Sequence, residues 1–186
     1  TSFYGKKILK LATDYEFINT EIKKDFLPNK NAIFTTRSDR NLNLLIHAWK
    51  EIKKKTNDSK LYINPPFGIS EDERKLSIII REKSDKKKLI QDLLNSRVML
   101  NPGHKGEVFC LAAAEAQELC VPIVTMGYGS LYERVEHKKT GFVAKNFNEF
   151  VNYSVEILNN EKTYYELKNN LINLRGKRTY KNVALD

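Results

Sequence analysis

Residues 101–142 read NPGHKGEVFCLAAAEAQELCVPIVTMGYGSLYERVEHKKTGF, and this stretch decides the fold. An apolar run at 98–100 precedes it, small apolar residues fill 111–116, and a second apolar run occupies 122–125. Buried strand, small-residue helix and buried strand in that order make a βαβ unit, which implies a parallel sheet. Gly106 and the turn at 108–110 lead into the helix. Its first N–H groups lack helical acceptors and suit an anion such as a diphosphate. Glu107 and Glu115, with seven residues between them, bracket that helix start. At the helical rise they lie at most about 12 Å apart, of the order of the span between the two sugars of a nucleotide-sugar donor. An acidic pair so placed suits such a ligand, one carboxylate for the sugar and one for the ribose. A glutamate near a helix start also serves simply to complement the helix dipole, so the flanking residues must carry the argument.

Outward from this stretch, strands and helices alternate. Strands are expected at 32–36, 61–63 (stopped by Pro65 and Pro66), 76–80, 98–100, 122–125 and 142–143. Helical stripes run through Leu42, Leu45, Ile46, Trp49 and Ile52, and through Leu89, Ile90, Leu93 and Leu94 after Ser84 or Asp85 as N-cap. Two more run through Phe147, Phe150, Val151, Val155 and Leu158, and through Tyr164, Leu167, Leu171 and Leu174. Such stripes read as core. The pattern implies an α/β fold, a Rossmann-like parallel sheet flanked by helices, over residues 32–186. Residues 1–31 read as a polar, Lys-rich segment or interdomain region, with an amphipathic stretch around 9–22.

The motifs resemble the donor-binding half of retaining glycosyltransferases of the two-Rossmann-domain (GT-B) type, particularly glycosyltransferase family 4, the glycosyl transferases group 1. Pro102, Glu107, Phe109, Glu115 and Ala116 follow that family's strand-Pro, Glu-x-Phe and Glu-Ala pattern. Pro122, Ile123, Val124, Gly129, Glu133, Val135, Thr140 and Gly141 follow in register. Upstream, Arg40, Asn41 and Leu42 match the basic loop after the first strand, with Arg37 as a weaker counterpart. Tyr180 to Ala184 resembles the opening of the family's closing helix. The resemblance covers roughly residues 32–184.

By that resemblance Glu107 contacts the transferred sugar as the catalytic group and Glu115 the ribose. Arg40, assisted by Arg37, meets the diphosphate, as do the backbone N–H groups of Phe109, Cys110 and Leu111. Arg81 stands where relatives seat the base, and His104, beside the motif, is within range of sugar or phosphate. Gly129, Ser130 and Leu131 border the phosphates or form a structural turn. The implied substrate is a UDP- or GDP-sugar, with neither metal nor cofactor, and the acceptor is a glycan or lipid-linked species. Family members carry an acceptor domain ahead of this one, so the chain reads as an excised donor half, one part of a polysaccharide-building enzyme.

Composition bounds the rivals. The 186 residues are 41% hydrophobic, enough for a one-domain core, and no run of 18 apolar residues occurs. Of the formal charge of +9, residues 1–60 carry +6, whereas 61–140 carry only +1. Without Arg-rich, aromatic-interleaved segments, nucleic acid is not implied. The Lys clusters at 53–55 and 86–88 read as solvated faces first and as weak attraction to anionic headgroups second. Cys110 and Cys120 read as buried reduced thiols. These features imply a cytoplasmic protein, with the inner face of the cell membrane as a peripheral site. A nicotinamide dehydrogenase needs a glycine-rich turn after its first strand, and residues 35–41, TTRSDRN, contain no glycine. A non-catalytic module binding a nucleotide sugar or an anionic polymer is the remaining alternative.

Overall fold

A computed structural model describes residues 12–64, 70–82 and 85–177. Pro65, Pro66, Ser84 and the closing motif at 180–184 lie outside the described residues. The elements in chain order are α1 (Tyr15–Asn19), β1 (Asn31–Phe34), α2 (Leu42–Lys55), β2 (Lys60–Ile63) and α3 (Glu71–Lys75). Next come β3 (Ile78–Ile80), α4 (Lys86–Leu94), β4 (Val98–Leu100), α5 (Leu111–Glu118) and β5 (Ile123–Thr125). The last are α6 (Leu131–Arg134), β6 (Gly141–Val143), α7 (Phe147–Asn159) and α8 (Glu161–Leu174).

All six strands pair in parallel in the order β3-β2-β1-β4-β5-β6. This is the Rossmann order, in which the chain starts at the centre and winds outward both ways. The central strands β4 and β5 are buried at every residue, as strands covered on both faces must be. Side chains alternate across β1. Ala32 and Phe34 enter the layer formed with Trp49, Leu61, Leu100 and Phe150, while Ile33 enters the layer formed with Phe17, Leu93, Met99 and Ala113.

The expected strands are present with most of their boundaries displaced by one or two residues, and α3 is a helix that the apolar pattern did not announce. β1 begins one residue early and ends at Phe34. β3 begins at Ile78, because Leu76 caps α3 and Ser77 turns the chain at φ 59°. α3 buries no residue and is held by a capping box between Ser70 and Glu73, a local signal with no stripe behind it. Asp85 caps α4 by accepting the N–H of Lys88 at 2.9 Å.

Residues 12–30 pack along the helical layer of α5 and α8. Phe17 is 1% exposed. The Lys168 ammonium of α8 donates to the carbonyls of Lys23, Lys24 and Phe26. Arg175 Nη2 donates to those of Phe17, Ile18 and Thr20, satisfying the acceptors that the end of α1 leaves open. Among the described residues no helix is long and apolar enough to cross a membrane.

Candidate functional site

The strand order reverses between β1 and β4. Crossovers of one hand then place α2 and α5 on opposite faces of the sheet, leaving a crevice between the loops that follow the two strands. Residues 35–41 and 101–110 form its walls, so the fold brings Arg40 and Glu107 together across 66 intervening residues.

The walls are tied to each other. Asn41, at φ 63°, begins α2 and donates its side-chain amide to the Gly103 carbonyl at 2.5 Å. Arg40 faces inward beside it. Its Nη1 lies 3.1 Å from His104 Nδ1 and its Nε 3.6 Å from Glu107 Oε2. The Arg40 and Glu107 side chains retain 20% and 14% of their exposure, so the pair is shielded from bulk water yet open on one side. Glu107 Oε1 accepts the Cys110 N–H at 3.2 Å, which caps α5. The Phe109, Leu111 and Ala112 N–H groups find no acceptor among the described residues.

The loop after β5 holds the Glu107 loop from the far side. Ser130 donates its N–H to the Glu107 carbonyl at 2.9 Å. Gly129 sits at φ 61°, and a Cβ there would lie 2.5 Å from that carbonyl and 2.9 Å from the His104 carbonyl. Only glycine permits this approach. Leu131 is buried beneath the turn, while the Ser130 hydroxyl is buried without a partner among the described residues. Phe109 turns toward α6, where the Arg134 guanidinium lies 4.2 Å from its ring centroid and donates to its carbonyl at 3.0 Å. Leu111 stays half exposed at the helix start.

Glu115 lies further along α5, partly buried, and its carboxylate has no hydrogen bond or ion pair among the described residues. Burial, reinforced by the Asp14 charge and opposed by Lys86, pushes its carboxyl up to about 7. Asp14 and Lys86 pair with each other at 2.5 Å, which ties the N-terminal segment to the start of α4. In the sequence Lys86 is one of a Lys cluster read as a solvated face, and nothing local announces that it meets Asp14.

Two expected contacts are committed elsewhere. Arg37 is exposed and pairs with Asp39 at 2.7 Å. Arg81, buried at the end of β3, pairs with Asp92 at 2.9 Å and donates to the Asn64 side-chain oxygen. It ties β3 to α4, and its polar edge is largely occupied. Cys110, at φ 56°, and Cys120 are free and buried, and burial pushes both thiols up to about 11. They are neutral at ordinary pH.

A parallel sheet of this order brings an arginine, a glutamate and open backbone N–H groups to its switch point, the place where open α/β sheets bind ligands, and such donors suit an anion. The family described as glycosyl transferases group 1 matches residues 20–173. The chain belongs to that family, and its fold is a Rossmann-like half of the GT-B architecture. A variant of S. aureus TarM, solved with fondaparinux, alpha-GlcNAc-glycerol and UDP, shares the fold with a TM-score of 0.71 and 18% identity, over 89% of this chain and 36% of that one. The C-terminal domain of the glycosyl transferase group 1 family protein LpcC from Francisella tularensis gives 0.62 and 18%, over 80% and 85%. Anabaena HepE in complex with UDP-glucose gives 0.66 and 14%, over 84% and 46%. The chain therefore spans about a third of TarM and under half of HepE. None of the curated proteins compared with it matches by sequence.

Proposed function

We propose that this domain binds a UDP- or GDP-sugar and is the donor half of a retaining glycosyltransferase acting on a glycan or lipid-linked acceptor, with a second domain holding the acceptor. The observation that carries this reading is the meeting of Arg40 and Glu107 at the sheet's switch point, beside the open amides that start α5. Breaking the bond from sugar to diphosphate builds negative charge on the leaving oxygens. Arg40 and the Phe109, Leu111 and Ala112 N–H groups offer fixed donors for that charge, so the reading requires no divalent cation. Glu107, held by the Cys110 N–H, keeps a carboxylate beside the sugar. Glu115, with no partner to give up, accepts ribose hydroxyls. The TarM and HepE structures, with UDP and UDP-glucose respectively, support the ligand class. On this reading the protein works in the cytoplasm, and the Lys clusters at 53–55 and 86–88 give it weak attraction to anionic headgroups.

Calorimetric titration with UDP, UMP, GDP and GMP tests the reading. The diphosphate of the preferred base should bind more tightly than its monophosphate. Arg40→Ala should weaken diphosphate binding by roughly 1.5–3 kcal/mol, the worth of hydrogen bonds to a charged group. Equal affinity for mono- and diphosphate, or none for either, would count against the phosphate site.

Glu115 supplies a test that couples binding to stability. Its carboxyl moves from 4.5 to about 7 on folding. Between those values the folded chain holds a proton that the unfolded chain has lost, so stability falls as pH rises through this window and stays lowered above it. Each unit corresponds to about 1.4 kcal/mol. Because water screens the open side of this partly buried group, Glu115→Gln should stabilise the domain by only about 1–2 kcal/mol at pH 8. It should leave stability unchanged at pH 4, while weakening UDP and UDP-sugar alike. Urea denaturation at the two pH values measures the first effect and calorimetry the second.

A further inference from the structure

We propose that His104 is a positioning residue that holds the Arg40 guanidinium off Glu107 and presents it to the diphosphate, acting through an unprotonated Nδ1. The proposal rests on the donor-site reading above. His104 Nδ1 accepts the Gly106 N–H at 3.0 Å and faces Arg40 Nη1 at 3.1 Å. An arginine nitrogen can only donate. Both contacts therefore converge on one lone pair, which assigns the ring proton to Nε2 from the hydrogen-bond network. The Gly106 N–H, two residues on, fixes the rotation of the ring.

The consequence lies at Arg40. Its Nε stands 3.6 Å from Glu107 Oε2, well beyond the roughly 2.7–2.9 Å of a charge-assisted hydrogen bond. His104 restrains the guanidinium at Nη1, and the short reach to Glu107 is left unclosed. Nη2 has no partner among the described residues, so one edge of the fork remains for phosphate oxygens. Without the restraint at Nη1, the guanidinium is free to pivot and close on Glu107 as a bidentate pair. That closure would neutralise the cation meant for the leaving group and occupy the carboxylate meant for the sugar. In this role His104 itself need not touch the ligand.

The test combines calorimetry with UDP, or GDP if that is the ligand bound, and nitrogen NMR of the imidazole in the unliganded chain. His104→Leu should weaken the diphosphate about tenfold, the equivalent of one such hydrogen bond. His104→Asn keeps an acceptor at the δ position and should restore affinity to within about threefold of the unsubstituted chain. In His104→Leu combined with Glu107→Gln the carboxylate that captures Arg40 is gone. That double variant should bind within about threefold of Glu107→Gln alone, a non-additivity expected only if the two side chains act through Arg40. The NMR spectrum should show Nδ1 bare and Nε2 protonated. A proton on Nδ1, a His104→Asn chain as weak as His104→Leu, or additive losses in the double variant would each overturn the positioning role. Absence of UDP and GDP binding by the unsubstituted chain would instead remove the donor reading, while the ring spectrum still decides whether the His104 contact exists.

Discussion

Replacing Gly141 with alanine should destabilise the domain by on the order of 4 kcal/mol, the range reached when a substitution collides with fixed backbone in a core. Gly141 opens β6 and pairs with Ile123 on β5. A Cβ at this position would lie 2.0 Å from the Ile123 carbonyl oxygen and 2.9 Å from its carbonyl carbon and its nitrogen. No rotamer relieves such a contact, because neither partner is a side chain. Ile123 cannot retreat either, since β5 is buried throughout and pairs with β4 on its other edge. Gly141 also accepts the Lys138 N–H at 2.8 Å, so the turn before β6 would loosen with the strand. Gly176 is the control. It sits at φ 78° with nothing within 4 Å of a built Cβ, so alanine there should cost only about 1 kcal/mol of backbone strain. Urea denaturation compares the two, and similar small losses at both positions would contradict the steric account.

Gly141 also shows what the sequence could and could not disclose. The Thr-Gly dipeptide was visible as part of a family pattern, but the reason for the glycine is a contact with a strand 18 residues earlier. The β4-α5-β5 unit was legible to within a residue because strands covered on both faces leave continuous apolar runs, as Val98 to Leu100 does. α3 lacked that signature, since a helix that buries nothing leaves no stripe. Phe17 falls in the amphipathic stretch expected around 9–22, but that it joins the core beside α5 depends on packing between distant segments, which no local pattern announces.

The site divides in the same way. Glu107, Glu115 and Arg40 could be singled out from residue type and motif. That Arg40 and Glu107 meet follows from the strand order, and how they meet depends on His104 and Gly106. The environment of Glu115 depends on Asp14 and Lys86, from two further elements. The expected role of Arg81 toward a base came from the resemblance, through its place at the end of the third strand, and the structure shows its guanidinium engaged with Asp92 and Asn64.

Glu107→Gln should separate donor binding from transfer by the widest margin. In this chain the amide still offers an oxygen to the Cys110 N–H, so the start of α5 survives. Removing a negative charge beside the diphosphate relieves repulsion, and UDP should bind at least as tightly as before. In a longer form carrying an acceptor-binding domain, the same substitution should lower transfer about 100- to 1000-fold. That is the usual loss when one fixed group stabilising a transition state is removed. The isolated 186 residues should transfer no sugar detectably even unsubstituted, because near-attack positioning of donor and acceptor needs both walls of the cleft. Transfer assays with a radiolabelled donor, alongside UDP calorimetry, measure both sides of this contrast. Equal losses in binding and transfer would make Glu107 merely a helix cap and a partner for Arg40. Robust transfer by the isolated chain would remove the need for a second domain. Donor binding by a longer form that never transfers sugar would favour a non-catalytic nucleotide-sugar module built on the same crevice.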